Sequence, residues 1–171
     1  GVRHGDSMWE KDFRDNWHFQ MYWQYLLPLT PENIENHPEW WEREEGQLPK
    51  YHRELNVCVS NPEVLARFVE AGRQYFDPRP SRVMLSLEPN DGPNYCKCKS
   101  CQSLKAGLGP GATMSDVFVF FCNQVVAEVS KTHPDKLFGF YAYVAYGDHT
   151  YPPTNVKPDP RLRVLMTRYG N

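Results

Sequence analysis

Residues 83–92 read Val-Met-Leu-Ser-Leu-Glu-Pro-Asn-Asp-Gly, a run of apolar residues around a single serine that opens straight into a turn. A short apolar run of this kind, Val83 to Leu87, is the pattern of a strand covered on both faces, as in a parallel sheet. The stop is abrupt because Pro89, Asn90, Asp91 and Gly92 all favour turns over strand continuation. The strand therefore delivers Glu88 and Asp91 to its own carboxyl end.

Helical and extended signals alternate on either side. Upstream, Asn61-Pro62-Glu63 supplies an N-cap, a proline at the first helical position and an acid in the first turn. Val64, Leu65, Phe68, Val69 and Tyr75 continue as a helical stripe, which Asp77-Pro78-Arg79-Pro80 ends. Thr30-Pro31-Glu32 repeats the opening, and Pro38 stops that shorter helix near His37. Asn56 to Ser60 is expected to be a short strand. Asn16 to Pro28 is expected to be another, because Trp17, Phe19, Met21 and Trp23 alternate with His18, Gln20 and Tyr22. Downstream, Ser115-Asp116 opens a periodic stretch that reaches His133-Pro134 and is too long for a strand. Phe138 to Val144 and Leu162 to Met166 complete the strands, Glu42 to Arg53 and Gly147 to Pro160 read as long loops, and residues 1–15 read as a loop or frayed terminus.

Strand–helix alternation predicts an α/β fold, with parallel strands joined by crossover helices. The choices are a doubly wound sheet and a (β/α)8 barrel, and no glycine-rich phosphate fingerprint follows any strand, which weakens the nucleotide-binding version of the former. A full barrel takes about 250 residues. The 171 residues are thus expected to form a single unit that is a fragment of a larger barrel, with the rest missing from this chain. At least four parallel strands are expected.

Composition narrows the function classes. Nineteen Lys and Arg against 21 Asp and Glu leave a net charge of -2, which lacks the basic surface of a sequence-blind nucleic-acid binder. No apolar run approaches the roughly 20 residues that span a bilayer. Aromatic residues make up 14% and prolines number 15, which suits ordered loops around an aromatic-lined cleft, or equally an aromatic core with long connections.

Three groups of residues can carry chemistry. Glu88 and Asp91 lie three apart after the central strand, with Asn90 between them, and paired carboxyls at such a rim suit general acid–base work such as glycoside hydrolysis. The same residues also suit a plain turn with a solvated glutamate. Cys96-x-Cys98-x-x-Cys101 offers three local metal ligands where a structural zinc wants four, and Cys58 or a histidine could complete the set. A disulfide between two of the three and unbridged thiols are equally open readings, while Cys122, among Phe120, Phe121 and Val125, reads as core. Tyr22, Trp23, Tyr25, Tyr141, Tyr143 and Tyr146 place rings near strand ends, where they could face a sugar or fill the core. His18 and His149 could act as acid–base groups.

The segments LLP…TPENIENHPEWW, NVCVSNPEVLARFVEAG, VMLSLEPNDGPNYCKCKSCQSL and SDVFVFFCNQVVAEVSKTHPDKLFGFYAY resemble a bacterial domain family, part of which is classed as glycoside hydrolase family 163. The likeness runs from about Tyr25 to Met166, and the Pro-Asn-Asp-Gly turn with its cysteine cluster is its most specific feature. It implies a partial (β/α)8 barrel acting on N-acetylglucosamine-containing glycans as an endo-β-N-acetylglucosaminidase, with retention through the substrate's own acetamide. It implies Glu88 as general acid and Asp91 as the group orienting the acetamide, or the reverse, with Asn90 binding substrate; beside these, the positions of Tyr143, Tyr141, Trp23 and His18 make them the expected substrate-binding residues. The resemblance further implies a glycan partner and an extracellular or periplasmic setting; no cofactor is expected for catalysis, and the cysteine spacing leaves a structural zinc possible. The alternative from another class is a non-catalytic carbohydrate-binding or scaffold module clipped by its cysteines.

Overall fold

The computed structural model describes residues 23–44, 47–52, 55–90, 95–142 and 152–166. In chain order they form α1 (Trp23–Leu26), α2 (Pro31–Asn36), a 3-10 turn (Pro38–Trp40), α3 (Pro62–Phe76), β1 (Met84–Ser86), α4 (Lys99–Gly107), α5 (Met114–Val129), β2 (Leu137–Ala142) and β3 (Leu162–Met166). The three strands make one sheet in the order β1-β2-β3 with both pairings parallel. Met84 sits opposite Leu137, and Phe138 opposite Leu162. The Leu87 N–H bonds to the Gly139 carbonyl at 2.7 Å, so the ladder runs one residue past β1 and carries Glu88 to the sheet's carboxyl edge. The fold is a mixed α/β arrangement, a small parallel sheet with helices packed on it.

The capping signals act as their chemistry dictates. Thr30 accepts from the Asn33 N–H at 3.1 Å, and Asn61 accepts from the Glu63 N–H at 2.9 Å, each ahead of a proline in the first turn. Thr113 and Asp116 form a reciprocal capping box at the start of α5. Burial would push the Asp116 carboxyl up, but the N–H groups of Thr113, Asn155 and Val156 outweigh it and hold the pKa well below the usual carboxylate range. Asp116 thereby fastens residues 154–156 to the helix start, with Thr154 donating to its second oxygen at 3.1 Å.

The core lies between α1, α3, α5 and the sheet. Trp23, Phe68 and Phe121 meet with centroids 5.1 to 5.7 Å apart, and Phe118 stands edge-on to Phe140 at 4.7 Å. Each such ring contributes about 1.5–3 kcal/mol by burial, and favourable edge contacts add about 1 kcal/mol. Gly72 lets α3 approach α5, since a Cβ there would stand 2.9 Å from Val129 Cγ2.

Three expectations are corrected. Trp23 to Leu26 is a helical turn rather than strand, closed by the Leu27 N–H on the Trp23 carbonyl at 2.8 Å. Trp23, Leu26 and Leu27 bury at i, i+3 and i+4, a spacing that overrides the aromatic alternation, whose residues 16–22 lie outside the described residues. Asn56 to Ser60 is not a strand of the sheet: Val57 makes one antiparallel bridge to Trp41, and Cys58 donates its N–H to Trp40 at 2.7 Å. Its apolar side chains pack as a buried irregular segment. Consequently three parallel strands, not four, are present among the described residues. The helix α4 had no sequence signal beyond its cysteines.

Candidate functional site

Glu88 leaves the end of β1 with only 8% of its surface exposed. Its carboxylate accepts the backbone N–H of Tyr141, on the neighbouring strand β2, and its carbonyl accepts the Trp23 N–H at 2.8 Å. A buried carboxylate costs free energy unless something receives it. Here a strand-end N–H does so, at the edge where parallel α/β folds gather their chemistry.

The other residues of this rim divide clearly. Asn90 is buried with both ends of its amide engaged, Nδ2 donating to the Leu55 carbonyl at 2.6 Å and Oδ1 accepting the Gln24 N–H at 3.0 Å. It ties three chain segments together. Trp23 is fully buried, with its indole N–H on the Leu87 carbonyl at 2.8 Å, so it supports the rim from beneath. Tyr141 is half-buried at the end of β2, beside Glu88. Asp91, Tyr143 and His18 lie outside the described residues, as do Tyr22, Tyr146 and His149.

A second buried carboxyl stands nearby. Glu42, with Leu55, Tyr95, His52 and Lys97, lines a cleft of about 280 Å³. Its Oε2 accepts the Asn56 N–H at 3.1 Å, and its Oε1 lies 3.4 Å from His52 Nε2. Burial pushes its pKa up to about 7, against the opposing pull of the Asn56 N–H and the Lys97 ammonium. Tyr95 lies within the electrostatic reach of both Glu88 and Glu42, and burial, reinforced by these charges, raises its phenol far above the ordinary value. Sequence reading passed over Glu42 because it opens a polar stretch without period; its position directly after Trp40-Trp41 is the only hint the chain offers.

The cysteines come together. Cys58, Cys96, Cys98 and Cys101 are all buried, and their sulfurs all lie within 4.8 Å of one another. Cys58 Sγ is 3.6 Å from Cys101 Sγ and 3.7 Å from Cys98 Sγ. All five cysteines are free thiols, so the structure holds a cluster in place of a bridged pair. Cys58 is fixed from α3's leading turn, where the Asn61 N–H bonds to its carbonyl at 3.0 Å, and Cys98 stands at the N-cap of α4. Lys97 secures the intervening loop, its backbone N–H on the Arg43 carbonyl at 2.8 Å and its ammonium on Glu44 at 2.7 Å. Ser60 Oγ lies 3.1 Å from Cys101 Sγ. Hydrogen bonds from Cys101 and Cys96 hold the Cys58 thiol far below a free thiol, while the Cys101 and Cys58 sulfurs push Cys96 up. Such a set can bind a metal ion. Cys122, by contrast, is fully buried in α5, and burial pushes its thiol up, as core packing requires.

Comparison with known families gives one match, to the domain of unknown function DUF4838, and it covers residues 5–171. The chain belongs to this family. No curated protein and no solved structure matches it.

In this DUF4838 chain the rim, the Glu42 cleft and the cysteine cluster are physically continuous. Asn90 grips Leu55, Asn56 donates its N–H to Glu42 and its carbonyl accepts the Glu42 N–H at 2.7 Å, and Arg43 accepts from Lys97 within the cysteine loop. Among the described residues, no helix is long and apolar enough to cross a membrane.

Proposed function

We propose that this chain is part of a (β/α)8 glycoside hydrolase that cleaves N-acetylglucosamine-containing glycans with help from the substrate's acetamide. The observation that carries the reading is Glu88, a buried carboxylate at the carboxyl edge of parallel strands that accepts the backbone N–H of Tyr141 on the neighbouring strand. The resemblance to glycoside hydrolase family 163 supports it. So does the exposure of Val164 and Leu165 on β3, a strand placed at the sheet's edge and suited to receive a further strand.

On this reading Glu88 and Asp91 share the work. One carboxylic acid gives its proton to the glycosidic oxygen as the bond to the anomeric carbon breaks. The acetamide oxygen forms the replacing bond, and the other carboxylate holds the acetamide N–H as positive charge develops there. Water then opens the cyclic intermediate, returning its proton to the first residue. Tyr143 and Tyr141 belong to the wall that meets the acetamide, and the setting is extracellular or periplasmic. The chemistry needs no cofactor, and a zinc ion at the cysteines would be structural.

The test is hydrolysis of an N-acetylglucosamine-containing glycan by the full-length protein. Glu88→Gln and Asp91→Asn should each lower turnover by roughly 10²-fold or more with little loss of binding. Turnover unchanged from the parent in both variants removes the pair from the active site. Glycan binding without any cleavage by the parent protein favours a carbohydrate-binding module instead.

A further inference from the structure

We infer that Cys58, Cys96, Cys98 and Cys101 bind one Zn²⁺ as a closed tetrathiolate, and that this ion positions the rim that carries Glu88. The inference rests on the cysteine geometry and not on the hydrolase reading. Four sulfurs at about 2.3 Å from a tetrahedral zinc stand about 3.8 Å apart. The separations of 3.6 and 3.7 Å from Cys58 match that edge, and the outer limit of 4.8 Å over the whole set leaves room for a single ion. A polynuclear iron–sulfur cluster needs its thiolates further apart. Cys58 is the fourth ligand that the local Cys-x-Cys-x-x-Cys lacks.

The surroundings suit thiolate sulfur. The Cys98 backbone N–H reaches Cys96 Sγ, and the Ser60 hydroxyl lies within reach of Cys58, Cys98 and Cys101, at 3.5, 3.9 and 3.1 Å. Donors of this kind orient ligands and spread their charge. All four positions are taken by protein, and the four cysteines are 2–7% exposed, so no coordination site opens toward a substrate. The ion is therefore structural.

What it holds is also visible. Around the cluster, Trp40 to Glu44, Leu55 to Ser60 and Tyr95 to Cys98 have almost no regular secondary structure, and α4 buries only Cys101. Removing the ion frees α4 and the cysteine loop, then Arg43 and Glu42, and through Asn56, Leu55 and Asn90 the turn after β1.

The experiment uses the full-length protein, purified under reducing conditions without added metal. Elemental analysis should find one zinc per chain. Cobalt exchanged into that site should give the visible bands of a tetrahedral ion and the near-ultraviolet charge transfer of a thiolate set, a readout on the unaltered protein that needs no folded variant. Cys58→Ser should weaken zinc retention against a competing chelator by more than the roughly 10–100-fold lost with an outer hydrogen-bonding partner. Ser60→Ala should fall within that smaller range, and Cys122→Ser should keep its zinc. Chelation should shift the fluorescence of the buried Trp40 and Trp41, which border the cluster. Iron in place of zinc, a disulfide among the four cysteines, or five titratable thiols with no metal would each overturn the inference. Glycan cleavage is measured separately, so loss of either proposal leaves the other standing.

Discussion

Two regions of the molecule solve the same problem by opposite means. Around α3, α5 and the sheet, backbone groups are satisfied within helices and strands, so the side chains are free to be apolar, and Trp23, Phe68, Phe76, Phe121 and Phe138 are all essentially inaccessible. Among the described residues of 40–60 and 88–98 regular ladders are nearly absent. There, buried polar side chains take over the backbone's bonds: Glu42 on Asn56, Asn90 on Leu55 and Gln24. A buried N–H or carbonyl must find a partner, and where secondary structure does not supply one, a carboxylate or amide is recruited. The difference teaches that the candidate site lies in the half of the protein where polar groups already carry the structure.

The contrast can be broken by exchanging what each half depends on. Phe121→Ala, in the apolar half, should cost about 3–5 kcal/mol in urea unfolding, by lost burial plus the cavity left behind. A cost near that of a surface change would mean that the aromatic cluster is not what holds α3 to α5.

In the polar half, Glu42 makes stability depend on pH. Its folded pKa of about 7 lies above the ordinary 4.5, so the native state holds its proton more tightly than the unfolded chain. The contribution is complete below pH 4.5 and is lost as pH rises toward and through 7, amounting to at most about 3 kcal/mol. Glu42→Gln keeps an acceptor for the Asn56 N–H and removes the charge. It should flatten the stability profile across this window and exceed the parent at pH 8. A variant with the parent's slope would place the titration elsewhere.

The smallest expected effect sharpens the comparison most. Asn90→Ala leaves the Leu55 carbonyl and the Gln24 N–H without their partner and should cost about 2 kcal/mol, measured by thermal unfolding of the protein without glycan. If glycan binding fell while stability held, Asn90 would be a ligand-binding group rather than a tie between segments.

How much of this was legible follows the same division. The helices α2 and α3 announce themselves through Thr30 and Asn61, because caps and prolines act within a few residues, and α5 through Asp116, although its cap is Thr113 and its first residue Met114, not Ser115. The strands β1, β2 and β3 do so by short apolar runs. The polar half is hidden, since burial of Glu42 is decided by segments far along the chain. The helix α4 presents one buried residue, Cys101, and so carries no apolar stripe for periodicity to find. Trp23 misleads because an aromatic residue reads equally well as strand or as one helical turn. At the candidate site, the sequence placed Glu88 at a strand's carboxyl end and grouped three of the four cysteines, but left Cys58 as one option among several. Only the irregular path from Trp40 to Ser60 brings it to the others.

That path has a thermodynamic consequence for the unfolded chain. Cys58 and Cys98 are 40 residues apart in sequence, and an ion joining them closes a loop that would otherwise explore freely. Treated as a cross-link of that length, the closure removes denatured-state entropy worth about 4 kcal/mol at 25 °C. A polar layer that cannot gather enough apolar contact of its own would then owe its order less to any attraction within the folded state than to the disorder its tether denies the alternative.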